Sequence, residues 1–172
     1  NAMTWGGGSG ASVESCYFGH TAMGYCHSSP GAGLDIEWAD GFAPIFYGNF
    51  VDCEFIANSQ VGVICDHHDE AGRLHNTGHY TFDRCTIVST SNHTALFPNA
   101  QFMRFNNSTI VGFVAPCFDA QLVSDPDAGN QFRACSIRES WNGESITPLA
   151  PGCAFLLNSG SHDAGGLVLE SC

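Results

Sequence analysis

The chain contains no lysine and only five arginines, against seventeen Asp and Glu residues, so 172 residues carry a net charge of −12. Such an acidic surface repels phosphate backbones and anionic lipid headgroups. Nucleic acid and membranes are therefore not expected as partners. The missing lysine also excludes a lysine general base. Cations and neutral sugars fit the charge as ligands, whereas polyuronates are disfavoured.

Long apolar runs and helical patterns are also missing. No run of eighteen apolar residues occurs, so the sequence predicts no membrane span. The apolar segments are four to eight residues long, rich in Phe, Val, Ile and Thr, and separated by Gly, Asn and Ser. This pattern is typical of strands. The sequence predicts no signal peptide and no Pro/Ser linker; we interpret residues 1–3 as a tag remnant and residues 4–172 as one domain.

One short phrase recurs along the chain: an apolar residue, two spacers, a small residue, one spacer and another apolar residue. The small residues lie 23 to 37 positions apart, which is a period typical of repeat proteins. They are Cys16, Cys53, Cys85, Ser108, Cys135 and Cys172. Because one repeat cannot bury its apolar face alone, we expect equivalent positions to stack into one continuous core.

The spacing inside each repeat predicts a corner between two strands. The small residue and the apolar residue two positions later share a strand face, whereas the apolar residue three positions earlier has the wrong parity. Successive repeats would then pair as parallel strands about 4.8 Å apart. The sequence therefore predicts an all-β, single-stranded parallel β-helix, a solenoid of about five turns. Since the last copy stops at Cys172, we expect a part of a longer protein whose open end favours self-association.

Nine cysteines raise the question of disulfides. Equivalent positions on neighbouring repeats fall within the Cα separation that a disulfide tolerates. In-register side chains nevertheless point the same way, and Ser108 occupies the same position in one repeat. We therefore interpret these cysteines as small buried thiols, with disulfides as the alternative. No Cys-x-x-Cys occurs, which argues against a zinc site.

Two segments resemble a known family. Gly33-Leu-Asp-Ile-Glu-Trp38 and Asn49-Phe-Val-Asp-Cys-Glu-Phe-Ile-Ala-Asn-Ser-Gln-Val-Gly-Val63 are similar to the "GIDIE…NCxFxxNxxxGI" phrase of the pectate-lyase-like superfamily. The resemblance is strong over residues 33–66 and weaker over residues 13–172. It implies a right-handed parallel β-helix in a secreted or cell-surface protein. The superfamily includes polysaccharide lyases, glycoside hydrolases, epimerases, phage tailspikes and adhesins, and the fold does not select among them.

Departures from the sequence motifs of the enzyme subfamilies narrow the choice of activity. Polygalacturonase-like hydrolases carry Asn-x-Asp, Asp-Asp, Gly-His-Gly and Arg-x-Lys motifs, of which this chain has only Thr77-Gly78-His79. Lyases of the superfamily use Lys or Arg as a base beside calcium held by Asp. With no lysine present, Arg73 is the arginine in a long insert around which an elimination site would have to be built.

Asp35 and Glu37 form the first candidate site. They lie two positions apart on a predicted strand, so both carboxylates share a face about 6–7 Å apart at the backbone. That separation suits paired acid and base work on a glycosidic bond. The alternative is that both simply face solvent, as alternate residues of a one-sided strand do. Trp38 beside them is a candidate for stacking on a sugar ring or for capping the core.

The insert after the next predicted strand carries a second candidate site. It contains four histidines and three carboxylates within fourteen residues, which suit a divalent cation such as zinc, nickel or manganese. These residues are Asp66, His67, His68, Asp69, Glu70, His75 and His79. No standard metal-site spacing is present, so a chance cluster is the alternative. Asp125, Asp127 and Asn130 offer oxygen donors for calcium, with an ordinary turn as the alternative.

These observations predict a polysaccharide-binding and polysaccharide-cleaving domain. The catalytic candidates are Asp35, Glu37, Asp66 and His67. The substrate-binding candidates are Trp38, Arg73, His75 and His79. A divalent cation is the one cofactor considered, and a glycan is the expected partner. The alternative function is a non-catalytic structural shaft, as in an adhesin or tailspike.

Overall fold

The structure, a computed structural model, describes twelve segments of the chain. They are residues 2–5, 10–21, 31–37, 47–58, 61–66, 79–89, 95–99, 102–112, 117–121, 129–139, 155–158 and 167–172. Within these segments every regular element is a β-strand. In this described part there is no helix long and apolar enough to cross a membrane.

The strands form three sheets, and the chain visits them in a fixed order. Sheet A contains β1 (Met3–Trp5), β4 (Leu34–Glu37), β7 (Val63–Asp66), β10 (Leu96–Asn99), β13 (Cys117–Gln121) and β16 (Phe155–Asn158). Sheet B contains β2 (Ala11–Glu14), β5 (Tyr47–Val51), β8 (His79–Asp83), β11 (Met103–Asn106), β14 (Gln131–Arg133) and β17 (Val168–Glu170). Sheet C contains β3 (Tyr17–Gly19), β6 (Glu54–Asn58), β9 (Thr86–Ser89), β12 (Thr109–Gly112) and β15 (Ser136–Glu139).

Every pairing between neighbouring strands in these sheets is parallel. In the described part of the chain, five repeats contribute one strand to each sheet, and the last contributes β16 to sheet A and β17 to sheet B. Equivalent residues of successive repeats lie in register, apart from shifts within the β6–β9 and β13–β16 pairs. The structure thus confirms the prediction of an all-β chain built from parallel strands.

A left-handed residue makes the corner between sheets B and C. It immediately precedes the small residue of the repeat and has φ between 49° and 54° in all six copies. The six residues are Ser15, Asp52, Arg84, Asn107, Ala134 and Ser171. Backbone hydrogen bonds hold neighbouring corners together; the Asp52 N–H, for example, donates to the Asp83 carbonyl at 3.0 Å. The predicted corner is confirmed, and it explains how residues of opposite parity both face the core.

The small residues of the repeats form a ladder in the core. The four inner members are buried, and the two outermost, Cys16 and Cys172, are exposed. Each inner side chain donates to a carbonyl of the adjacent repeat; Cys85 Sγ, for example, lies 3.4 Å from the Phe50 carbonyl oxygen. Burial raises the pKa of the Cys85 thiol to about 12. The ladder cysteines are all free thiols, which excludes the disulfide alternative for these positions.

An aromatic ladder runs beside the thiols. Phe50, Phe82, Phe105 and Phe132 lie in register on sheet B and are fully buried. Their rings stack nearly parallel, with centroids 4.6 to 4.9 Å apart. Val13 and Leu169 occupy the same position in the outer strands. This continuous apolar ladder is what the repeat spacing predicts.

Replacing Ala134 with Gly should stabilise the protein, because Ala134 has φ 52° and carries a Cβ in the left-handed region. That conformation costs a residue with a Cβ about 1–2 kcal/mol. Glycine avoids this cost, but its greater entropy in the unfolded state offsets part of the gain in stability. We expect the free energy of unfolding to rise by about 0.5–1 kcal/mol in a urea titration.

Ala11→Gly is the matched control, because Ala11 lies within strand β2 and is not among the positive-φ residues. There glycine should lower stability by about 0.5–1 kcal/mol. An equal loss of stability in both variants would contradict the corner geometry.

Candidate functional site

The outer face of sheet A carries the first candidate site. Leu34 and Ile36 belong to the main core cluster, and Val63 and Cys65 do so on the next strand. Because side chains alternate along a strand, Asp35 lies on the opposite, outer face. The prediction that residues 34–37 form a strand is confirmed.

Tight backbone contacts set the register of the strands that carry this site. Gly62, just before β7, donates from its N–H to the Ala95 carbonyl at 2.9 Å and accepts from the Leu34 N–H at 3.1 Å. A Cβ at Gly62 would lie 2.6 Å from a methyl carbon of Ile87 and 2.9 Å from the Ala95 oxygen. Glycine at this position therefore allows β4, β7 and β10 to begin side by side.

This register brings acidic positions of different repeats together. Glu37 on β4 pairs with Asp66 on β7, and Asp66 pairs with Asn99 on β10. Paired positions on neighbouring strands are about 4.8 Å apart. Two of the catalytic candidates, far apart in sequence, therefore occupy adjacent backbone positions, and Asn99 extends the polar row.

Asp35 is buried, with only 3% of its surface exposed. Its in-register neighbour Ile64 is also buried and belongs to a second, smaller cluster with Ala32 and Val61. The outer face of sheet A is therefore covered at this place, and Asp35 does not simply face solvent. The buried Asp35 and the acidic positions beside it are therefore the candidate site on sheet A.

Most of the other site residues predicted from the sequence fall outside the described part of the chain. Trp38, His67, Arg73 and His75 are outside the described residues. The backbone positions of Glu37 and Asp66 are the paired ones on β4 and β7. The structure does not bring His79 to the same strand row, because it starts β8 in sheet B.

The described residues do not bring together a metal-binding cluster of three His, Cys, Asp or Glu side chains. Most of the histidine-rich insert, residues 67–78, lies outside them, as do Asp125 and Asp127. Asn130 of the calcium candidate is fully buried, and its Oδ1 accepts a hydrogen bond from the Met103 N–H at 3.2 Å. Asn130 therefore has a structural role at the start of sheet B.

Sequence reasoning missed an aromatic row on sheet B. His79 is exposed, pairs in register with Tyr47, and stacks on the Phe102 ring with centroids 4.4 Å apart. These three residues each lie six positions before the small residue of their repeat. Aligning the repeats on that residue would have found the row, whereas Asn99 of the sheet A row gives no such signal.

Comparisons with protein-family models, curated proteins and solved structures return no significant match for this chain.

Proposed function

We propose that the chain is a right-handed parallel β-helix of the pectate-lyase-like superfamily that binds and hydrolyses a polysaccharide on the outer face of sheet A. The fixed order in which the chain visits sheets A, B and C supports the β-helix. The identical left-handed corner in six repeats supports it as well.

One observation carries the proposed activity: Glu37 and Asp66 pair in register beside the buried Asp35. Carboxyl pairs in glycosidases lie about 5 to 9.5 Å apart. Paired backbone positions about 4.8 Å apart are compatible with a carboxyl pair of that kind. The pairing places two acidic residues across neighbouring strands, which the spacing of Asp35 and Glu37 on one strand did not reveal.

The proposed hydrolysis needs one protonated and one ionised carboxyl. The first gives its proton to the glycosidic oxygen as the bond from the anomeric carbon breaks. Water supplies the hydroxyl that is added to the anomeric carbon, and its remaining proton passes to the second carboxylate. Hydrolysis is proposed rather than elimination because the paired row consists of carboxyl residues, whereas the base for elimination would be a lysine, which the chain lacks, or Arg73, which lies outside the described residues.

Replacing Glu37 with Gln, or Asp66 with Asn, should reduce hydrolysis by about 100-fold or more, because each amide removes one of the two proton-transferring groups. The assay measures new reducing ends from a panel of neutral and acidic polysaccharides. Glu54→Gln is the matched control, because Glu54 is exposed on sheet C and should leave the rate unchanged. Asp35→Asn is a poorer test, since Asp35 is buried and its change also affects stability.

The uniform ladders favour a second candidate function, a non-catalytic shaft. Six corners with the same φ and four stacked phenylalanines describe a rigid, regular body. If the whole panel is left uncleaved by the full chain, the shaft replaces the hydrolase as the function. Cleavage that Glu37→Gln and Asp66→Asn leave unchanged would instead contradict the assigned site. Self-association and a secreted or cell-surface location stay predictions of the sequence.

A further inference from the structure

We propose that the outer face of sheet B is a second binding site, which holds a linear neutral glycan and performs no chemistry on it. The proposal does not depend on the activity proposed for sheet A, because the two sites lie on different sheets and share no residue.

An open groove of about 680 Å³, lined by both polar and apolar groups, crosses sheet B. Along β5 and β8, buried residues alternate with more exposed ones. The buried residues are Gly48 and Phe50 on β5 and Tyr80 and Phe82 on β8, so the residues next to them on each strand face the groove. The lining includes Ser12, Asn49, Thr81, Asp83, Asn106 and Arg133. Hydroxyl, amide, carboxylate and guanidinium groups together offer both donors and acceptors. This mixture suits the hydroxyl groups of a sugar chain, each of which donates and accepts.

Aromatic rings lie at the start of strands that the groove crosses. Tyr47 is 52% exposed, and the exposed His79 beside it stacks on Phe102. The Tyr47 ring lies against Gly10, where any added side chain would collide with it. Glycine therefore leaves room for the Tyr47 ring at this position. An exposed aromatic face beside polar groups can stack on a sugar ring while the hydroxyls bind in the groove.

Charges on this face are already matched within the protein. Arg84 donates to both carboxylate oxygens of Asp52, at 2.7 and 2.8 Å, and also to Asp83. Hydrogen bonding by Arg84 lowers the pKa of Asp52, which keeps this pair ionised. Arg133 lies 3.1 Å from Glu170. Arg104 donates to the backbone carbonyls of Met103 and Gly129 at 3.1 and 2.7 Å. With the chain at −12, a polyanion is repelled overall, so the proposed glycan is neutral.

A protein partner fits this face less well. Among the described residues the exposed large hydrophobic side chains are Tyr17, Tyr47 and Leu169, and none of them lines the groove. Tyr47 lies on β5 two positions before the groove residue Asn49, and so on the same face of the strand. Protein interfaces centre on an apolar, fully buried patch, which is not found here. The groove extends across β2, β5, β8, β11 and β14, so it is about 19 Å long. That length suits an oligosaccharide rather than a single sugar.

The test measures binding of the full chain by calorimetry. The probes are linear hexasaccharides of glucose, xylose, mannose and galactose, with polygalacturonate as the anionic comparison. At least one neutral hexasaccharide should bind, and Tyr47→Ala should weaken that binding about tenfold. Tyr17→Ala is the matched control, because Tyr17 is 48% exposed on sheet C and should change the affinity less than about twofold.

Repeating the titration with Glu37→Gln separates this site from the proposed hydrolase, because that variant should bind normally without turnover. The proposal is overturned if no neutral hexasaccharide binds, or if polygalacturonate alone binds. It is also overturned if Tyr47→Ala binds as the parent chain does, or if Tyr17→Ala loses as much affinity.

Discussion

Replacing Cys85 with Arg should abolish folding. Cys85 is 1% exposed and lies in the middle of the small-residue ladder, between Cys53 and Ser108. A guanidinium there would be buried in an apolar core without a carboxylate partner, at a cost of several kcal/mol. That cost is comparable with the whole stability of a typical domain, about 5–15 kcal/mol. The expected result is insoluble protein, or a soluble chain without the circular dichroism of β-structure.

Two controls separate the buried charge from a general sensitivity to mutation. Cys16→Arg places the same side chain at the exposed outer position of the ladder and should fold. Cys85→Val keeps an apolar side chain of similar size and should fold too. A folded Cys85→Arg protein with native circular dichroism would show that the ladder is not a closed core.

The repeat made the core predictable from the sequence. The distance from the small residue to each flanking apolar residue is fixed in every complete copy. Strand alternation assigns the apolar residue two positions later to the same interior face, and a corner brings the one three positions earlier to the interior as well. Burial of Cys53, Cys85, Ser108 and Cys135 follows from this local rule. The corner at Asp52 and its equivalents follows as well, because only a bend reconciles the two parities.

The candidate sites could not be predicted in the same way. The inserts differ in length between repeats, so sequence distance does not show that Glu37 and Asp66 pair across strands. The sequence pattern also grouped His79 with Asp66 in one insert, although the structure places His79 in sheet B and Asp66 in sheet A. Burial of Asp35 depends on what covers the outer face of sheet A, which strand alternation does not specify.

Replacing Phe82 with Ala should lower the free energy of unfolding by about 3–5 kcal/mol. Phe82 is fully buried, and its ring stacks between Phe50 and Phe105 with centroids 4.9 Å away on each side. It also meets the edge of Phe55 at 6.1 Å. Alanine removes these contacts and leaves a cavity that the neighbouring strands cannot close, because they are fixed in register by parallel pairing.

Leu169→Ala is the matched control for Phe82→Ala, because Leu169 occupies the same ladder position in β17 but is 52% exposed. Its loss should cost less than about 1 kcal/mol, since most of the removed surface is already in water. Both variants are compared with the parent chain by urea unfolding. The comparison of free energies requires that the three proteins give equal m-values. Equal destabilisation by the two substitutions would contradict a continuous phenylalanine ladder as the main source of stability.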